Sequence, residues 1–205
     1  MALLLHGFFR SVMRKKILCA AVLMVQGAMA APPGHPRWRD FRHKVAGAPA
    51  VARGAAGAAF GQLRNAPHEW GQGAGGFAKR FASGLGQHAV KESIELGMGA
   101  WLHENLHYQP SNLHQTWPRV EYALKTTFIV PRIDRPGKTF AVSRVSSNLG
   151  AGIISRAWQP ASTAGIGAGL LSGGLGVAAD VGFNMVREFW PRKPAVATKQ
   201  PAAKR

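Results

Sequence analysis

Residues 164–179 carry no charged side chain, and within them Gly165, Gly169 and Gly173 recur every four residues. On a helix that spacing stacks three positions without side chains along one face, where a second backbone can approach closely. The segment 148–155, NLGAGIIS, is similarly small and apolar. The two stretches are therefore expected to pair as a tight helical hairpin, with Gly165, Gly169 and Gly173 as its packing positions. Two environments suit such a hairpin: a tightly packed soluble or peripheral core, or a bilayer. The uncharged run is short for a span, its glycines make it only mildly hydrophobic, and Asp180 would be costly at depth, which favours the first.

The rest of the central chain also reads as helix. In 77–104, Phe77, Phe81, Leu85, His88 and the run 90–94 fall at spacings of three and four, the helical period. Gly84, Gly86, Gly97 and Gly99 lower helix propensity there and so point to close packing against a neighbour. A turn segment follows over 108–117, and Pro118 suits the start of a second helix with Val120, Ala123, Leu124 and Thr127 on one face, ended by Pro131. The sequence predicts a loop over 132–138 around Pro136-Gly137, a third helix over 140–158 that stops before Pro160, and a fourth from a Ser162 or Thr163 cap to Trp190. No alternating strand pattern of useful length is present. The expected fold is mainly α, about four helices of unequal length with a glycine-rich C-terminal hairpin, in one domain over 67–191.

The flanks differ in character. Residues 31–66 are rich in Pro, Ala, Gly and Arg, with Asp40 their only acid, and 192–205 form an Ala/Lys tail punctuated by prolines. Such segments bury too little apolar surface to offset their ordering entropy, so both read as flexible basic arms. Residues 1–30 read as a cleavable signal peptide. Arg14, Lys15 and Lys16 give the charge, 17–25 the apolar core, and Ala28-Met29-Ala30 the small-residue site before the cut. Met13 would open a more ordinary signal, so the first twelve residues read as an upstream extension. The single cysteine, Cys19, lies in that core and would leave with it, so the mature chain has no thiol chemistry.

Lys and Arg number 26 against 9 Asp and Glu, a formal charge of +17. Charge of that size attracts polyanions and anionic surfaces whatever the fold. For an exported chain the expected partners are lipid head groups, acidic polysaccharide or an envelope protein, with membrane association compatible. Nucleic acid is disfavoured, because export removes the chain from it and no helix-turn-helix, zinc-finger or stacking motif is present.

One motif points to chemistry. His103-Glu104-Asn105-Leu106-His107 matches H-E-x-x-H, in which two histidines one helical turn apart bind zinc and the glutamate polarises the attacking water. Catalytic zinc needs a third protein ligand. The extended form of the motif fails, because Pro110 and Leu113 stand at its glycine and histidine positions; His114 and Glu121 are the remaining candidates. A helix-end reading is available for both histidines, with His107 placed against the negative helix terminus. Zinc is thus the alternative to an expectation of no cofactor, with His103 and His107 as ligands and Glu104 the general base if the chain is a zinc enzyme.

Pro67-His68-Glu69-Trp70-Gly71-Gln72-Gly73, Trp117-Pro118-Arg119, Thr126-Thr127-Phe128, the run ISRAWQP over 154–160 and Glu188-Phe189-Trp190 together resemble an uncharacterised family of exported proteins from acidobacteria and related soil bacteria. The resemblance spans roughly 67–191 and implies no activity. Trp101, Trp117, Trp158 and Trp190 fall near expected helix ends, where an amphipathic ring seals a core or rests at a membrane interface. The sequence therefore leads to an exported, non-enzymatic protein of the periplasm or outer envelope, held to an anionic surface by basic arms. A small zinc-dependent metallopeptidase and a membrane-embedded envelope component are the alternatives.

Overall fold

The computed structural model describes residues 36–191; the expected signal peptide over 1–30 and the basic tail over 192–205 lie outside the described residues. The fold is mainly helical. Helix α1 runs over Pro36–Ala46 and α2 over Ala48–Leu63, so the described part of the segment 31–66, expected to be a flexible arm, is largely helical, and its residues 31–35 lie outside the described residues. Alanine has the highest intrinsic helix propensity, and seven of the sixteen α2 positions (APAVARGAAGAAFGQL) are alanine. Tertiary contact supplies the rest: Ala50, Gly54 and Ala58, four residues apart, are buried. A β-carbon at Gly54 would stand 3.1 Å from Leu85 and 3.2 Å from Phe81 of the next helix.

That helix, α3, runs over Ala74–Trp101, about 42 Å of rise, and stops three residues before the predicted end. Its N-terminal approach is a tight turn in which Gly71 (φ +67) and Gly73 (φ +93) take conformations that disfavour a side chain. Helix α4 covers Thr116–Phe128, so Pro118 sits within the first turn, where no intrahelical N–H bond is lost. The chain then leaves the helix as strand β1, Ile129–Pro131, which pairs antiparallel with β2, Lys138–Phe140, through Val130 opposite Thr139. Helix α5, Val142–Ile154, gives way to a 3-10 turn over Ser155–Ala157. Helix α6, Ile166–Phe189, begins after a further 3-10 turn, Ala161–Thr163, later than the expected Ser162 or Thr163 cap. The Ser162 hydroxyl instead donates to Glu69 at 2.8 Å.

Side-chain contacts fix the directions of the helices. Gln62 reaches Gly73, so α2 and α3 are antiparallel. Trp158 reaches Ser83 while Ser143 lies beside Gly99, so α5 is antiparallel to α3. Gln87 bonds Ser172 and Lys91 meets Asp180, so α6 runs parallel to α3. The glycine hairpin forms between α5 and α6 as its spacing predicts, but with a different set of positions. A β-carbon at Gly169 would lie 2.9 Å from the Ile153 Cα, and one at Gly173 would lie 2.6 Å from the Leu149 Cα. Gly165 is the exposed N-cap of α6 with nothing near it, because the helices diverge there; Gly152 of α5 takes its place in the contact.

The interior is polar. Val90 and Ala151 are the buried centre of the apolar core, with Ile94, Ile154 and Trp158 packed on it. The largest fully buried side chains are Glu188, Thr127, Ser143, Ser147 and Ser155.

Candidate functional site

The H-E-x-x-H segment does not have the geometry its pattern requires. Helix α3 has ended at Trp101, and His103 adopts φ +56, the left-handed region, so the two histidines do not share a helical face. The backbone continues as an extended edge on the hairpin: Ile133 donates to the His103 carbonyl at 2.8 Å and Asn105 donates to Pro131 at 2.9 Å. Glu104 is 5% exposed and already engaged. Its carboxylate accepts from the N–H groups of Val142 at 3.0 Å and Ser143 at 3.1 Å, and from the Ser143 hydroxyl. These are the orphan donors at the start of α5, whose own N-cap residue, Ala141, offers no side chain to satisfy them. Glu104 is thus a helix cap supplied from 38 residues away. His103, His107 and His114 are exposed, and Glu121 pairs with Lys125 on the outer side of α4. No group of three or more metal-ligating side chains comes together among the described residues.

The residues of the P-H-E-W-G-Q-G and I-S-R-A-W-Q-P segments build the turns at one end of the bundle. Arg80, 5% exposed, donates to the carbonyls of Ala66 at 3.0 Å, Pro67 at 2.8 Å and Gly71 at 2.7 Å, which gathers the loop before α3. Glu69 crosses to Ser162, and its carboxyl is held below its ordinary value by backbone hydrogen bonds and by the Ser162 hydroxyl. Trp158 and Gln159 both donate to Ser83. These side chains tie the turns at that end of the bundle together.

At the other end, Glu188 is fully buried and organises the approach to α4. It accepts from the Tyr108 hydroxyl at 2.8 Å, the Ser111 N–H at 2.9 Å, the Ser111 hydroxyl at 2.5 Å and Arg119 at 3.3 Å. Arg119 also donates to the Glu188 carbonyl and lies 4.3 Å over the Phe189 ring. Burial, and then the bond to Glu188, push the Tyr108 phenol above its ordinary range.

Between these ends lies a buried ionic cluster. Lys91 sits among three carboxylates, with Nζ 2.8 Å from Glu95, 3.0 Å from Glu92 and 3.3 Å from Asp180. Lys44 of α1 reaches Glu92 at 3.5 Å and Glu95 at 3.8 Å. Arg53 of α2 meets Asp180 at 3.1 Å and stacks 4.0 Å over Phe183. Asn148 donates to Asp180 at 2.9 Å, and Asn184 to the Thr127 hydroxyl at 2.9 Å. A cavity of about 320 Å³ opens onto the cluster, lined also by Arg144 and Arg187. A smaller one of about 120 Å³, lined by Phe41, Leu96, Leu106 and Ile133, adjoins it at Lys44, Glu92 and Glu95.

The outer surface inverts this pattern. Ile166, Leu171 and Leu175 of α6 are 69%, 67% and 58% exposed. Helix α6 is long and apolar enough to cross a membrane, with a mean hydropathy of 1.4 in a window only 17% buried. Asp180, the charge that sequence reasoning singled out in this helix, faces inward. Its partners were not foreseen, although a lone acid in an apolar helix calls for one, and Lys91 with Glu95 at i,i+4 was the available signal.

The chain matches no known protein-family model, no curated protein and no solved structure.

Proposed function

We propose that this protein is a helical component of the cell envelope seated in a bilayer, with its apolar outer faces against lipid and its charges inside the bundle or at its ends. The observation that carries this reading is the distribution of charge. Over 80–101 of α3, 142–154 of α5 and 166–186 of α6, every Asp, Glu, Lys and Arg is buried, while Val142 and Ile153 of α5 and Ile166, Leu170, Leu171 and Leu175 of α6 face outward. Water favours the opposite arrangement. In lipid this one is cheaper, because acyl chains neither penalise exposed leucine nor solvate charge. The stretch of α6 from Ile166 to Val186 rises about 30 Å, the thickness of a hydrocarbon layer.

The ends fit the same reading. Trp101, Trp117 and Trp190, exposed at 75%, 76% and 69%, stand at the end of α3, the start of α4 and the end of α6, one end of the bundle. Indole rings favour the membrane–water boundary. Lys125, Arg135, Lys138 and Arg187 are exposed near that end, so the anionic surface expected from the net charge becomes lipid head groups.

The test is extraction of membranes from cells expressing the full chain. Retention through high salt and alkaline carbonate, with release only by detergent, is expected. Leu171→Arg should lower the retained fraction, since arginine at the centre of a lipid-facing helix costs about 3 kcal/mol on insertion scales. Release of the wild-type chain by salt alone would reduce it to a peripheral protein.

A further inference from the structure

We propose that the larger cavity is an anion site that takes a phosphate group against Arg144 and Arg187. Its lining carries five lysines and arginines against three carboxylates. The carboxylates are already committed: Glu92, Glu95 and Asp180 surround Lys91, with Lys44 and Arg53 as their further partners. Arg144 and Arg187 form no ion pair among the described residues, and they supply the surplus of two positive charges.

Arg144 is built into the fold. It is 6% exposed, and its guanidinium donates to the Thr127 carbonyl at 2.6 Å and the Leu106 carbonyl at 3.0 Å. Carbonyl dipoles orient a guanidinium without cancelling its charge, and the one carboxylate it acts on, Asp180, is shared with Lys91 and Arg53, so the group stands preorganised beside the cavity with charge to spare. Arg187 approaches from α6 at the exposed rim. Two planar donor forks and a surplus of two charges match a phosphate monoester, which carries between one and a half and two negative charges near neutral pH. The volume of about 320 Å³ accepts a small head group. The adjoining lobe at Phe41, Leu96 and Ile133 offers an apolar extension beside it. This site follows from the fold alone and holds whether or not the bundle enters a bilayer.

The test titrates inorganic phosphate into the purified full chain in non-ionic detergent, read by calorimetry, with chloride at matched ionic strength as the control. Saturable binding is expected, weakened about tenfold by Arg187→Gln at unchanged helical circular dichroism, and further by Arg144→Gln. Arg187 is exposed and supports no fold contact described above, so its variant keeps the test decisive if Arg144→Gln does not fold. Absence of binding, an unchanged affinity in Arg187→Gln, or a response that chloride reproduces would overturn the assignment. Vesicles of phosphatidic acid in phosphatidylcholine then separate the sources. Competition with inorganic phosphate assigns a lipid head group, whereas phosphate binding without competition assigns a free phosphate at the same site.

Discussion

Helix α6 meets its neighbours in two different ways along one face. In its first half, Gly169 and Gly173 bring the backbone against α5, at positions where a single added carbon would fall within 3 Å of a main-chain atom. In its second half, Asp180, Asn184 and Glu188, at 6%, 4% and 0% exposure, meet the bundle through paired polar side chains. The first half therefore has no room for an atom gained, and the second no tolerance for a charge lost. Both serve a helix whose opposite face is apolar, so specificity comes from shape at one end and from electrostatics at the other.

The largest expected effect tests the polar half. Lys91→Met leaves Glu92, Glu95 and Asp180 without the ammonium they share, and removing one partner of a buried ion pair costs about 3–5 kcal/mol. Chemical denaturation of the full chain in detergent measures it; a loss below about 1 kcal/mol would show that the cluster is not held by its charges. A smaller effect tests the glycine half. Gly173→Ala forces helix separation and should cost about 1–3 kcal/mol, whereas Gly174→Ala, next in sequence but facing open space, should stabilise by about 0.5–1 kcal/mol. Effects of equal sign at the two sites would break the distinction between packed and outward faces.

The smallest effect lies outside both halves, in the hairpin loop. A side-chain hydrogen bond from Arg132 pulls the Asp134 carboxyl down to about 2. A depressed carboxylate adds stability above its unfolded value and loses it as pH falls through its folded one, so this contribution should disappear between about pH 4 and 2. Carboxyl NMR of Asp134 follows it directly, and an ordinary midpoint near 4 would remove the pair from the account.

How much of this was legible follows from the range of each interaction. Helical periodicity located α3 to α6 to within a few residues, and the four-residue glycine repeat announced the α5–α6 contact. The loss of Gly165 from that contact was not legible, because where two helices diverge is set by the turn over 155–165. Helices α1 and α2 were missed because their composition resembles a disordered arm. Their order depends on Lys44 reaching Glu92 and on Arg53 reaching Asp180, 127 residues away. The backbone of the H-E-x-x-H segment was not legible for a related reason. A pattern reports spacing, whereas Glu104 acts as the cap of α5, and the hairpin holds its backbone extended.

By itself the sequence determined a helical chain, a close glycine contact and a strong positive charge, since these depend on local propensity, on the absence of side chains and on residue counts. Tertiary structure alone decided which charges are inside. Burial of Lys91, Glu95, Asp180 and Glu188 is affordable only when each finds its partner across helices, and no local rule states that pairing. The same packing turned Leu171 and Leu175 outward, because a bundle whose interior is filled by ion pairs has no interior left for leucine.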